Sequence, residues 1–179
     1  WNELYEKVCK FSSYLKKLNL QKGDRVAAYV PNKIETIICF LACAKNGIIW
    51  SSCSPDFGAQ GVVDRFKQIE PKVFITCDYY YYNGKKINIL DKVEKILKQI
   101  PSIKKVIAFN YNKQERESLK NFINFEETLK NDLDEVFERF EFNHPIYILF
   151  SSGTTGKPKC ITHGSGNVLI EHNKEFMLH

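Results

Sequence analysis

Nine consecutive residues, Ser151 to Lys159 (SSGTTGKPK), gather two glycines, four hydroxyl side chains and two lysines directly after the apolar run Ile146 to Phe150. Glycine reaches positive φ and lets backbone N–H groups approach an anion closely, and Ser and Thr hydroxyls donate further hydrogen bonds. Lys157 and Lys159 supply compensating charge. A phosphate-holding loop is therefore expected here, with a triphosphate as its natural guest. The same residue types also build ordinary exposed turns, which is the competing reading. A Walker A loop is disfavoured: Gly153 and Gly156 are separated by two residues rather than four, and Pro158 stands where a Mg²⁺-binding hydroxyl would be needed.

Other residues of chemical interest are more scattered. Lys85 and Lys86 follow Asn83-Gly84 in a loop after a strand end, where ligands gather in open α/β sheets, though a plain basic turn has the same composition. Phe57-Gly58 lies before a helix for which Ser54 or Asp56 would serve as N-cap. Asp64 and Arg65, inside that helix, are expected to form a structural ion pair. His163 follows the glycine-rich loop and is read either as a substrate-side residue or as a packed histidine. His144 is expected to be structural, and His172 and His179 to lie on a surface helix. No Ser-His-Asp arrangement is visible. The six cysteines (Cys9, Cys39, Cys43, Cys53, Cys77 and Cys160) form no C-x-x-C pair, and most sit in apolar segments. That suits reduced core thiols in a cytosol-like compartment, so no metal site is expected.

The elements that must position these residues follow from periodicity. Leu4, Val8, Phe11, Leu15 and Leu18 mark an amphipathic helix, stopped at Gly23-Asp24. Arg25 to Val30 reads as a strand, and Asn32 with Glu35 gives a capping-box-like start to a helix ending near Gly47. Ile48 to Trp50 is the next strand, followed by the loop SSCSPDFG and a helix through Val62, Val63, Phe66 and Ile69. Val73 to Thr76 is a strand, YYYYNGKK a loop, Ile89 to Ile100 a helix and Val106 to Phe109 a strand. Such alternation predicts an α/β fold with a mostly parallel sheet covered by helices. Residues 110 to 143 read as a surface excursion with one helix over FEETLKNDLDEVFERF, before the sheet resumes at Ile146.

Composition narrows the class. At 179 residues and 44% hydrophobic content the chain can bury a core. Twenty-six basic against 21 acidic residues give a formal charge of +5, too little for a dedicated nucleic-acid binder but suited to anionic small molecules. The apolar run Ile37 to Ala44 falls far short of the roughly 20 residues that span a bilayer. The amino terminus has no signal-peptide pattern and no initiator Met.

The sequence SSGTTGKPK resembles the phosphate-binding signature of the adenylate-forming superfamily, which includes acyl-CoA synthetases, luciferases and peptide-synthetase adenylation domains. The segments IIWSSCSPDFG, VVDRFKQIEPKV, YNGKK, HPIYILFSSGTTGKPKCITHGSG and EHNKEFMLH are similar to its acetoacetyl-CoA synthetase branch. The resemblance covers nearly the whole chain and is weakest between Asn110 and Phe140. It implies an acid–thiol ligase using ATP, Mg²⁺ and CoA, in which a carboxylate such as acetoacetate displaces pyrophosphate from ATP and CoA then displaces AMP. It also implies ATP contacts from Ser152, Gly153, Thr154, Thr155, Gly156, Lys157 and Lys159, with the family tolerating other residues at position 157.

CoA contacts are implied for Lys85, at a place where relatives carry arginine and this chain also has Tyr82, and for Phe57 and Gly58, where the glycine would let backbone approach the adenine or pantetheine. His163 matches a position where the family commonly has histidine. Residues 1–179 then represent part of the amino-terminal AMP-binding domain, without the carboxy-terminal domain and without catalytic residues of their own, in a cytosolic enzyme. Such a partial sheet should expose an edge and apolar surface. The alternatives are another short-chain acyl-CoA synthetase, or a non-catalytic nucleotide-binding or interaction module.

Overall fold

A computed structural model describes residues 1–112, 121–152 and 156–178. The expected alternation is present. Helix α1 (Asn2–Lys17) precedes β1 (Arg25–Tyr29), α2 (Ile34–Lys45), β2 (Ile49–Cys53), α3 (Ala59–Phe66), β3 (Val73–Cys77), the short strands β4 (Tyr79–Tyr82) and β5 (Lys85–Asn88), and α4 (Leu90–Gln99). Then follow β6 (Lys105–Phe109), β7 (Ile123–Asn124), α5 (Phe125–Thr128), β8 (Pro145–Ser151), β9 (Lys159–Gly164) and α6 (Ser165–Leu178). Among the described residues the main sheet has seven strands in the order β7-β6-β3-β1-β2-β8-β9, all parallel except for the antiparallel pair β8–β9.

The parallel strands β1 and β3 are almost wholly apolar and buried, as strands covered on both faces must be. Helices α1 and α2 pack together, as do α3 and α4. The chain leaves β1 for α2 but leaves β2 and β3 for α3 and α4, so the crossovers depart to different sides around β1. In open α/β sheets the carboxyl ends of the strands at such a reversal are where ligands gather. Cys39 and Cys43 are fully buried on the inner face of α2, and five of the six cysteines are buried; Cys160 is exposed.

Several local expectations are corrected. β2 continues through Ser51, Ser52 and Cys53, so the loop after it begins only at Ser54. The cap of α2 is Lys33 rather than Asn32, with no side-chain capping bond, while Thr36 Oγ1 donates to the Pro31 carbonyl (2.8 Å). YYYYNGKK is not a loop but an antiparallel hairpin. Asn83 (φ 47°) and Gly84 (φ 73°) form its two-residue turn, and left-handed backbone at both positions is what a tight hairpin requires.

The helix expected over residues 125–140 stops at Thr128. Beyond it the chain crosses α1 and α2 as an irregular strap, because the buried Lys45 ammonium claims it: Lys45 Nζ donates to Asp134 Oδ2 (3.1 Å), the Val136 carbonyl (2.7 Å) and Ser12 Oγ (3.2 Å). A carbonyl in a continuing helix would already have been committed to its own ladder. Phe137 stacks on Tyr5 at 5.9 Å, and Phe140 stacks on His144 at 4.9 Å. His144 has the expected structural role, its Nε2 lying 2.9 Å from the Gly47 carbonyl. Gly47 is fixed by space as well as by its φ of +64°, since a Cβ there would lie 2.6 Å from the Phe140 ring.

The expected exposed edge is β9. Leu149 and Ile161, paired across β8–β9, are each 44% exposed, and α6 displays Leu169, Ile170 and Phe176 with only Val168 buried. No helix among the described residues is long and apolar enough to cross a membrane.

Candidate functional site

Strands β8 and β9 form the two walls of the glycine-rich loop, with Ser151 paired to Lys159 at its base. The loop is thus the connection of an antiparallel hairpin standing beside the parallel sheet. It adjoins β2 with one registered pair, Trp50 with Tyr147, and with the buried Ser51 Oγ donating to the Ile148 carbonyl (2.8 Å). Phe40 lies 6.2 Å from Trp50 and 6.1 Å from Tyr147, and Phe150 lies 6.5 Å from Phe66 on α3.

Of the seven residues assigned to ATP, Gly153, Thr154 and Thr155 lie outside the described residues, as does His179. Ser152 is exposed at the end of β8. Gly156 has φ +121° and open space around its Cα, so glycine is needed there for its dihedral and not for room. Lys157 and Lys159 are both exposed, and among the described residues neither makes a hydrogen bond or ion pair. Two side-chain ammonium groups with no partner among the described residues stand on the outgoing side of the glycine-rich segment, an arrangement that favours an anion.

The two lysines do not point alike. Lys159 opens β9, whereas Lys157 lines a cavity of about 430 Å³ with Gln60, Val63, Asp64, Lys67 and Gln68 of the α3 segment and Gln99 of α4. Gln68, which the sequence reading passed over, donates from Nε2 both to the Pro158 carbonyl (2.9 Å) and to the Asp64 carbonyl (2.7 Å). Cys160 Sγ reaches its Oε1 at 3.7 Å. His163 sits at the far end of β9, its ring 4.9 Å from that of Tyr147. It lies four residue steps from Lys159, roughly 13 Å at the usual rise, and its ring packs on the sheet rather than against the loop.

The second cluster surrounds Phe57 and Gly58. Tyr29, at the end of β1 and fully buried, places its hydroxyl 2.7 Å from both the Pro55 and the Phe57 carbonyls. Burial, with Tyr80 and Cys77 nearby, pushes its pKa far up, so it stays a neutral donor. Lys92 Nζ also reaches the Pro55 carbonyl (3.3 Å). Gly58, not Ser54 or Asp56, caps α3; those two bond each other instead (2.7 Å). A Cβ on Gly58 would meet nothing within 4 Å, so the surface beside it is open.

Asp64 and Arg65 do not form the expected pair. Successive helix residues diverge, and Asp64 accepts from Gln60 (2.7 Å) while the Arg65 guanidinium lies 4.4 Å from the Phe57 ring centroid.

The hairpin separates Lys85 from Lys86. Paired residues share a face and alternate along the strand, so Lys85 stands with Tyr82 and Tyr80, and Lys86 with Tyr81 and Tyr79. Tyr80, whose pKa is pushed up to about 12 by burial and then by its hydrogen bond to Asp56, identifies the first face as the one turned to the Phe57 loop. Lys86 Nζ instead sits 3.9 Å over the Tyr79 ring. Lys85 therefore stands on the hairpin face that Tyr80 turns toward the Phe57 loop.

A mostly parallel α/β sheet whose strand order reverses at β1, with a glycine-rich connection between β8 and β9, is a nucleotide-binding type of architecture. The sequence matches the AMP-binding enzyme family over residues 1–176, and the chain belongs to that family. Among curated proteins it is 45% identical over 185 residues to acetoacetyl-coenzyme A synthetase of Rhizobium meliloti (strain 1021), covering 100% of this chain and 28% of that protein. It is 40% identical over 188 residues to acetoacetyl-CoA synthetase of Macaca fascicularis, with the same coverage. It is also 37% identical over 190 residues to malonamoyl-CoA synthetase vrtB of Penicillium aethiopicum, covering 99% and 26%. The solved structure of acetoacetyl-CoA synthetase from Streptomyces lividans superposes with a TM-score of 0.93 at 38% identity, covering 98% of this chain and 27% of that one. The chain thus spans just over a quarter of the length of the relatives it matches.

Proposed function

We propose that the chain is part of the amino-terminal AMP-binding domain of a cytosolic ATP-dependent acid–thiol ligase that converts acetoacetate, ATP and CoA into acetoacetyl-CoA, AMP and pyrophosphate. The observation that carries this reading is the glycine-rich hairpin loop with two uncommitted lysines, set in a fold whose relatives are named for this product. In the first step an acetoacetate carboxylate oxygen attacks the α-phosphorus of ATP and pyrophosphate leaves. In the second, the CoA sulfur attacks the acyl carbonyl carbon and AMP leaves.

Mg²⁺ enters with ATP as its complex. Among the described residues no group of three or more His, Cys, Asp or Glu side chains is placed to hold a metal ion. The chain's own contribution is positional. Ser152, Gly153, Thr154, Thr155, Gly156 and Lys159 hold the β- and γ-phosphates, with Lys157 adding charge from the α3 side, and this spreads the negative charge that develops on the leaving pyrophosphate. Phe57, Gly58 and Lys85 meet CoA. His163 acts from the sheet on the substrate side.

The relatives' printed products, acetoacetyl and malonamoyl thioesters, share a carbonyl group β to the thioester carbon, so a short 3-oxo acid is the substrate class. The test is AMP release by the full-length protein with acetoacetate, malonamate, acetate, propionate and butyrate. Preference for acetoacetate supports the reading, and equal or greater use of acetate or butyrate replaces it with a broader short-chain ligase.

A further inference from the structure

We infer that Gln68 is a positioning residue for the phosphate loop, a latch that fixes the loop's outgoing limb against α3. The inference rests on the ATP-binding reading of the loop above.

Gln68 lies in the turn just beyond α3, and its carboxamide has two N–H bonds and one carbonyl to place. One N–H is directed to the Asp64 carbonyl one helical turn back (2.7 Å), which fixes the side chain on its own helix. The other is directed to the Pro158 carbonyl (2.9 Å), ninety residues away in sequence. The oxygen faces Cys160 Sγ at 3.7 Å, on the first turn-out of β9. One amide therefore touches both residues that flank Lys159.

The need for such a latch follows from the loop itself. Pro158 has no N–H, so it cannot complete a ladder bond to β8, and Gly156 at φ +121° adds backbone freedom. Ordering the loop around a triphosphate costs conformational entropy at each residue fixed on binding. A limb already held at Pro158 and Cys160 lowers that cost and sets the direction of Lys159, which lies between them. Lys157, Asp64 and Gln68 line one cavity, so this limb of the loop faces the α3 segment.

The experiment uses the full-length protein with Gln68→Met, which keeps the length of the side chain and removes its N–H donors, and Gln68→Glu, which keeps an acceptor and removes the donors. ATP binding is measured by isothermal titration calorimetry, KM is measured separately for ATP and CoA, and thermal unfolding is recorded. Both variants should weaken ATP binding and raise its KM roughly three- to tenfold, the effect of losing one or two partly exposed hydrogen bonds. The KM for CoA and the unfolding midpoint should be unchanged. Unaltered ATP affinity in both variants overturns the latch. So does a parallel rise in both KM values with a lowered midpoint, which marks general loss of packing. If the unaltered protein forms no acyl-CoA, the ligase reading fails, and the ATP titration still decides the role of Gln68.

Discussion

The parallel half of the molecule and the β8–β9 hairpin are fastened in different ways. Strands β1 and β2, and β3 and β6, are joined by five registered pairs each, and the loops at their carboxyl ends are held by buried groups. Asp78, fully buried, accepts from the Tyr79 N–H (2.7 Å), the Tyr111 N–H (2.8 Å) and Asn110 Nδ2 (2.9 Å), and Tyr29 holds the Phe57 loop. The hairpin meets the sheet through one registered pair, the buried Ser51 to Ile148 hydrogen bond and aromatic contacts, and its loop is tied to α3 by the exposed Gln68. The backbone behind Phe57 is held by the buried Tyr29 hydroxyl, whereas the limb after Gly156 is held by the solvent-exposed Gln68. If the loop closes on ATP as proposed, a weaker mounting is what closing and reopening require.

The largest effect should come from breaking the joint between the two regions. Phe66 is fully buried, 6.2 Å from Phe74 in the parallel half and 6.5 Å from Phe150 in the hairpin. Phe66→Ala should cost about 3–5 kcal/mol in urea unfolding. A loss below about 1 kcal/mol would show that the hairpin's packing does not depend on it.

Next is the exposed cation of the loop. Lys159→Ala should reduce acid-dependent ATP–pyrophosphate exchange roughly ten- to hundredfold, corresponding to about 1.5–3 kcal/mol of charge-assisted hydrogen bonding, with circular dichroism unchanged because the side chain fills no core. Unchanged exchange removes Lys159 from the phosphate site.

A smaller effect sharpens the assignment on the other side. Lys85→Ala should raise the KM for CoA several-fold and leave that for ATP alone, since a partly exposed cation–phosphate contact contributes only about 1 kcal/mol. Lys86→Ala, on the opposite hairpin face, should change neither. Equal effects from the two lysines would contradict the facing deduced from the pleat.

The smallest effect concerns pH. Burial acts to raise the Asp134 pKa, but hydrogen bonds from Lys16, Lys45 and the Val136 N–H outweigh it and hold the carboxyl at about 2. A folded-state value below the unfolded one stabilises the protein at higher pH, and the contribution is lost as pH falls from the ordinary carboxylate range toward 2. Asp134→Asn should therefore lower stability at neutral pH and flatten the acid limb of the unfolding curve. An unchanged acid limb would place the acid sensitivity elsewhere.

Much of the parallel half was legible because its helices and strands carry their own periodicity, as in α1 and in the buried run Val73–Cys77. The hairpin at Tyr79–Asn88 had a readable signal in Asn83-Gly84, obscured by four consecutive tyrosines that show no polar alternation. The strap after Thr128 was not legible: its helical composition is overridden by Lys45, which lies some ninety residues earlier in sequence. For the site, loop chemistry alone pointed to an anion. The Arg65 contact with Phe57, the Tyr29 anchor and the Gln68 tie all depend on tertiary neighbours that residue spacing does not encode.

The central claim is that this chain supplies the phosphate-binding part of a ligase that activates acetoacetate with ATP. ATP–pyrophosphate exchange by the full-length protein, in the absence of CoA, tests it most directly. The account predicts incorporation of labelled pyrophosphate into ATP that requires acetoacetate. Exchange that is absent, or independent of any carboxylic acid, would contradict it.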